Sequence, residues 1–172
     1  MTDVETVAGL EKGFGRQERR LMNKLISEHF TLEEMQRSET AIRLGLDNSI
    51  PEKYLPNATR VAEALEEIRA FYRGKPIRVT SCYRSKEVNK AIGGSQTSAH
   101  CSASAVDFTV EGIGNIEVCR AVPEILSNYD QIIYEFGPQG WVHLGLSGKP
   151  RFQKLTAIKK DGKTLYLPGI VG

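Results

Sequence analysis

No apolar stretch in the chain approaches the roughly 18 residues that a membrane-spanning helix requires, so insertion into a membrane is not expected. The N-terminus, MTDVETVAGLEKGFGRQ, carries early acids and no apolar core segment, which argues against a secretory signal. Cysteine is scarce. Cys82, Cys101 and Cys119 are odd in number and form no CxxC pair, which argues against a disulfide framework and against a structural zinc finger. They read as free thiols of a protein made in a reducing compartment. An excess of charge of one sign is also missing: 23 bases against 21 acids leave a net +2, too balanced for a protein held on nucleic acid by electrostatics alone. There is no internal repeat and no low-complexity run.

What remains is the composition of one soluble domain, 172 residues with 40% hydrophobic and 26% charged side chains. A domain of this length buries roughly 70% of the surface its unfolded chain exposes, enough to fold without cross-links. We expect an N-terminal arm and short helix over 1–27, a main domain over 28–147 and a basic C-terminal hairpin over 148–172 belonging to the same domain, the whole being a monomer. Charge is uneven along the chain. Residues 149–172 hold six bases (Lys149, Arg151, Lys154, Lys159, Lys160, Lys163) and one acid, Asp161. This reads as a solvated hairpin, with contact to a polyanion as the alternative.

Local patterns predict the elements. Leu21 and Leu25 suggest a short helix over Gln17–Ser27. Thr31, Leu32, Glu33 and Glu34 spell a capping box opening a helix to about Arg37. Gly45, Asn48, Pro51 and Pro56 punctuate a loop. Val61, Leu65, Ile68 and Tyr72 recur at helical spacing and predict a helix over Asn57–Arg73 with Asn57 as its cap. A strand over Ile77–Ser81, a short helix from Ser85 to Ile92, a strand over Ala103–Val110 and a helix over Ile116–Leu126 follow. Strands over Gln131–Phe136 and Trp141–Leu146 come next, and a hairpin turns at Asp161-Gly162. Helices early and strands late indicate an α+β fold, with helices on one face of a mainly antiparallel sheet.

Two of the three histidines sit in unusual company. His100 ends the small-residue loop Gly93–Ala99, and Asp107 lies within an apolar strand between Val106 and Phe108. Alternation puts Val106, Phe108 and Val110 on a core face and Asp107 on the opposite, open face. In the later strand Val142, Leu144 and Leu146 form the apolar face, and Trp141, His143 and Gly145 the other. Each residue alone reads as an ordinary core or surface side chain. Together, two imidazoles and one carboxylate match the donor set of a catalytic zinc site, and an unpaired buried Asp107 would be costly without a cation.

Ser98-x-His100-x6-Asp107 followed by Trp141-x-His143 resembles the zinc signature of the D-alanyl-D-alanine peptidase family, which shares its fold with the hedgehog signalling domain. Thr80-Ser81-Cys82-Tyr83-Arg84-Ser85 resembles the family's Ser-x-x-Arg segment. Phe30–Glu34 and Asp47-Asn48 resemble the leader of its phage and prophage branch. The resemblance covers about residues 28–147. It implies Zn2+ held by His100, Asp107 and His143 on the open face, with an activated water attacking a peptide carbonyl. It also implies an arginine, Arg84, that holds a substrate carboxylate or the developing oxyanion. Ser98 and Trp141 would line the substrate cleft. The implied substrate is a D-amino-acid-containing peptide of bacterial peptidoglycan, cut by a carboxypeptidase or an endopeptidase. The implied setting is a phage or prophage lysin or a virion-associated wall hydrolase, made in the cytoplasm and acting on the wall.

Two positions depart from the family pattern. A glycine is common between the first histidine and the aspartate, where this chain reads Cys101-Ser102-Ala103-Ser104. Many members place a catalytic glutamate three residues before the last histidine, where this chain has Gly140. Other branches carry it on the preceding strand, which makes Glu135 the expected general base. The alternative is a non-catalytic zinc-containing wall-binding or phage structural module. Cys101 is set aside as a nucleophile because no second basic partner accompanies it.

Overall fold

The computed structural model describes residues 24–172. The expected arm and most of the helix over Gln17–Ser27 lie outside these residues. The part that is described, Lys24–Ser27, is not helical: Leu25 bridges Thr31, and the Ile26 amide bonds the Phe30 carbonyl in a tight turn. Leu25 is exposed, so no buried face rewards a helix there.

Three helices lead into the sheet and a fourth follows its first strand. Helix α1 (Leu32–Gln36) opens on the capping box, with the Glu34 amide donating to Thr31 Oγ1 and the Thr31 amide donating to Glu34 Oε2. Helix α2 (Glu39–Leu44) is capped by Ser38 and stopped by Gly45, whose φ of 64° suits a residue without Cβ. Helix α3 (Leu55–Phe71) buries Ala58, Val61, Ala62, Leu65 and Ile68. It begins two residues earlier than expected, because Pro56 fits its first turn. Asn57 is therefore inside the helix and does not cap it; its side-chain amide donates to the Ser102 carbonyl instead. Helix α4 (Lys86–Ala91) is capped by Ser85.

Six strands form one sheet: β1 (Ile77–Ser81), β2 (Ala105–Val110), β3 (Gln131–Glu135), β4 (Trp141–Gly145), β5 (Gln153–Lys160) and β6 (Lys163–Pro168). Their order is β1-β2-β4-β3-β5-β6. Every pairing is antiparallel except β3 with β5, so the sheet is mainly antiparallel. Helix α5 (Asn115–Ile125) crosses between β2 and β3 and packs with α3 against one face. Val106, Phe108, Ile132, Val142 and Leu144 point into that core and are almost fully buried. The other face is not covered by the long helices, and it carries the polar residues of the strands.

Register decides which residues meet on that face. Asp107 pairs with His143, His143 with Ile133, and Ile133 with Leu155. The next row runs Trp141, Glu135, Ala157 and Tyr166. Side chains in each row share a face because strand alternation is strict.

Candidate metal centre

The two rows meet a loop at the edge of β2. His100 sits on a single 3-10 turn (Ala99–Ser102) that ends at Ala103, which is fully buried with φ 54°. This is the left-handed conformation that glycine adopts freely and alanine at some cost. Burial and the positive φ together require a small side chain at this position, which Ala103 supplies.

The ligand atoms of His100, Asp107 and His143 all lie within 4.8 Å of one another. His100 Nε2 is 3.3 Å from His143 Nδ1 and 3.3 Å from Asp107 Oδ1, and His143 Nδ1 is 2.8 Å from Asp107 Oδ1. Two ligands about 2.05 Å from a tetrahedral ion stand about 3.3 Å apart, so this spacing fits zinc. The chemistry of the donors fits as well. His100 Nδ1 lies 2.6 Å from the Cys82 carbonyl and donates its proton there, which leaves the Nε2 lone pair facing the other two ligands. Burial pushes the His100 pKa down, against the pull of Asp107, and so favours the neutral ring that binds metals. Burial alone would raise Asp107, but His100 and then His143 outweigh it and hold the carboxyl well below the usual range, in the ionised form.

Arg84 completes the centre. Its Nη2 donates to Asp107 Oδ2 at 3.3 Å, leaving Oδ1 for the histidine side. The arginine is placed by backbone on both sides. The Arg84 amide bonds the His100 carbonyl, and the Tyr83 amide bonds the Met35 carbonyl. Buried Asn48 spans the segment, donating to the Tyr83 carbonyl at 3.0 Å and accepting from the Ser85 amide at 2.7 Å. Arg84 Nε is buried and has no partner. The rest of the guanidinium lines the cleft beside the Asp107 carboxylate, where it is suited to receive an acceptor from a substrate.

Glu135 ends β3 directly opposite Trp141, two pairs along from Ile133 and His143, so it faces the same side as Asp107 and His143. Burial raises its pKa and Asp107 adds to this, against His143 and Arg84. Trp141 packs edge-on against Phe136 with ring centroids 5.3 Å apart. The Trp141 indole N–H lies near enough to Glu135 to favour its charge but is buried without a formed hydrogen bond. Gly140, where many family members place the glutamate, cannot hold one: a Cβ there would stand 1.7 Å from the Glu135 carbonyl oxygen. The turn between β3 and β4 (Phe136–Gly140) is too tight for a side chain at that point, and Asn115 clasps it by donating to the Gly140 carbonyl at 2.8 Å.

His100, Asp107, His143, Arg84, Glu135 and Trp141 line one cleft of about 900 Å³, together with Ser98. The expected residues thus converge. Cys101 does not join them: it faces a separate hollow with Lys86 and Lys90, and burial raises its thiol. Cys82 and Cys119 are buried thiols pushed up to about 12, chiefly by burial. Sequence reasoning did not single out Cys82 as the carbonyl that orients His100, nor Asp130 and Tyr166 as cleft residues. Alternation along Lys163–Pro168 could have marked Tyr166, had the partner strand been known.

A sequence profile described as Peptidase M15 matches residues 28–145, well over half of the chain. No curated protein matches it.

Proposed function

The chain belongs to the peptidase M15 family and is a zinc metallopeptidase; from that premise we propose that it hydrolyses peptide bonds in the D-amino-acid-containing peptides of bacterial peptidoglycan. The observation that carries this reading is the meeting, in one cleft, of the three candidate ligand residues with an arginine and a partly buried glutamate. His100, Asp107 and His143 would hold the zinc. When bound, zinc supplies an electrophile that lowers the pKa of water to roughly 7.

The chain's own residues do the rest. Glu135 accepts the proton from the attacking water and returns it to the leaving amine. Its raised pKa suits it to both transfers. Arg84 donates to a substrate carboxylate or to the carbonyl oxygen as charge develops on it. Trp141 and Ser98 border the peptide. The finer setting we propose is the bacterial wall, attacked by a phage or prophage lysin or a virion-associated hydrolase.

The test is turnover of purified peptidoglycan by the protein with zinc and with chelator, with the released fragments identified by mass. Release of D-alanine indicates a carboxypeptidase, and release of larger peptides an endopeptidase. A zinc-loaded protein that binds the wall and releases nothing would replace the hydrolase with a binding module.

A further inference from the structure

The family match ends at residue 145, yet the sheet does not. Strands β5 and β6 extend it by two, and their cleft-facing side chains continue the row that begins at Trp141 and Glu135. The third member of that row, Ala157, is fully buried and small. It leaves space between Glu135 and the fourth member, Tyr166, whose backbone is two strands away, about 10 Å.

Tyr166 lines the cleft with Glu135, Phe136, Trp141 and His143, and yet remains 55% exposed. A core tyrosine would be covered, and the row gives this one no packing partner larger than Ala157. Desolvation raises its pKa, and Glu135 and then Asp107 add to the rise, so the phenol keeps its proton. Next to it, Lys159 is occupied: its Nζ donates to Thr164 Oγ1 at 2.8 Å and lies 5.0 Å from the Phe136 ring centroid.

We infer that Tyr166 is a substrate-contacting residue of the peptidase, brought to the cleft by the C-terminal hairpin and facing the peptide from the side opposite Arg84. Its hydroxyl donates to a peptide carbonyl, and its ring flanks the chain on the Glu135 side. Arg84 and Tyr166 then hold the peptide from the β1 end and the β6 end of the face, with the ligand residues between them. The inference rests on the peptidase reading.

The test uses the full zinc-loaded chain and a soluble stem pentapeptide ending in two D-alanines. Tyr166→Phe keeps the ring and removes the donor. Leu165→Ala lies on the same strand, on the opposite face and pairing with Ile158, and serves as the hairpin control. Loss of one hydrogen bond corresponds to about a two- to twelve-fold weaker KM for Tyr166→Phe, with kcat nearly unchanged. Tyr166→Ala weakens it further, and Leu165→Ala leaves it unchanged. Binding to the metal-free protein, read from the fluorescence of Trp141, the sole tryptophan, follows the same order without turnover. Parent-like KM and binding in both Tyr166 variants overturn the inference while the peptidase reading stands. A parent that neither cleaves nor binds the peptide and releases no fragment from purified peptidoglycan overturns both.

Discussion

Asp107 and His143 stand directly opposite each other on β2 and β4, with Oδ1 and Nδ1 2.8 Å apart, although 36 residues separate them in the chain. Cross-strand neighbours are the closest side chains a sheet offers, so register alone makes them a pair. The third candidate ligand, His100, arrives from outside the sheet. It depends on the Cys82 carbonyl and on the left-handed Ala103 turn for its direction.

The purified protein is expected to carry one zinc per chain, and His100→Ala/His143→Ala to carry none. With free zinc near a thousand times its dissociation constant, binding adds about 4 kcal/mol to folding stability. Chelation should then lower Tm by on the order of 10 °C for a chain of this size. Metal analysis and calorimetry check both. Full zinc occupancy in the double variant would refute the ligand assignment.

Gly140→Ala is expected to destabilise the fold by about 1–3 kcal/mol, the usual range for an overpacked site. The added Cβ would stand 1.7 Å from the Glu135 carbonyl oxygen, which is backbone and must move. That movement displaces Glu135 from its place beside the ligand row, so turnover should fall while zinc stays bound. Denaturant titration alongside metal content tests this; unchanged stability and turnover would show that the turn yields freely.

Arg84→Lys retains a positive charge but not the fork of donors. The native guanidinium spends Nη2 on Asp107 and still presents part of its fork to the cleft, and a single ammonium cannot do both. Hydrogen bonds to charged groups typically contribute about 1.5–3 kcal/mol, which corresponds to roughly 10–10²-fold in kcat/KM. Steady-state kinetics on peptidoglycan peptides measure it. Parent-like rates would confine Arg84 to a structural role.

Much of the site was legible because alternation is a local rule. The apolar neighbours of Asp107 and of His143 put both residues on the open face without any knowledge of pairing. The Thr31–Glu34 capping box was equally local and formed as expected. What was not legible depends on contacts distant in the chain. Helix α2 is short and leaves Ile42 and Leu44 exposed, so it shows little periodicity. The role of Asn57 turned on the carbonyl of Ser102, 45 residues away. The parallel pairing of β3 with β5 brings Tyr166 into the row of Glu135, and no spacing in the sequence encodes it.

The most exacting prediction concerns Glu135, since a one-residue slip of β3 would have turned it away and presented Tyr134 or Phe136 instead. The pairing of Ile133 with His143 sets it on the ligand side, and Tyr134 is buried against the core. Glu135→Gln is nearly isosteric and can still hydrogen-bond a water, but it cannot accept a proton. Positioned acid–base groups contribute about 10²–10⁴-fold, so turnover should fall by that order while zinc content and Tm stay close to the parent. Glu124→Gln, exposed on α5, provides the matched charge change away from the cleft and should behave like the parent. Because burial and Asp107 disfavour the charge of Glu135, its removal relieves a strained group. A Tm equal to or slightly above the parent's, together with the lost rate, would distinguish a general base from a residue kept for structure. If both variants turn over like the parent, Glu135 is not the base, and the proton must leave the water by another group in the cleft.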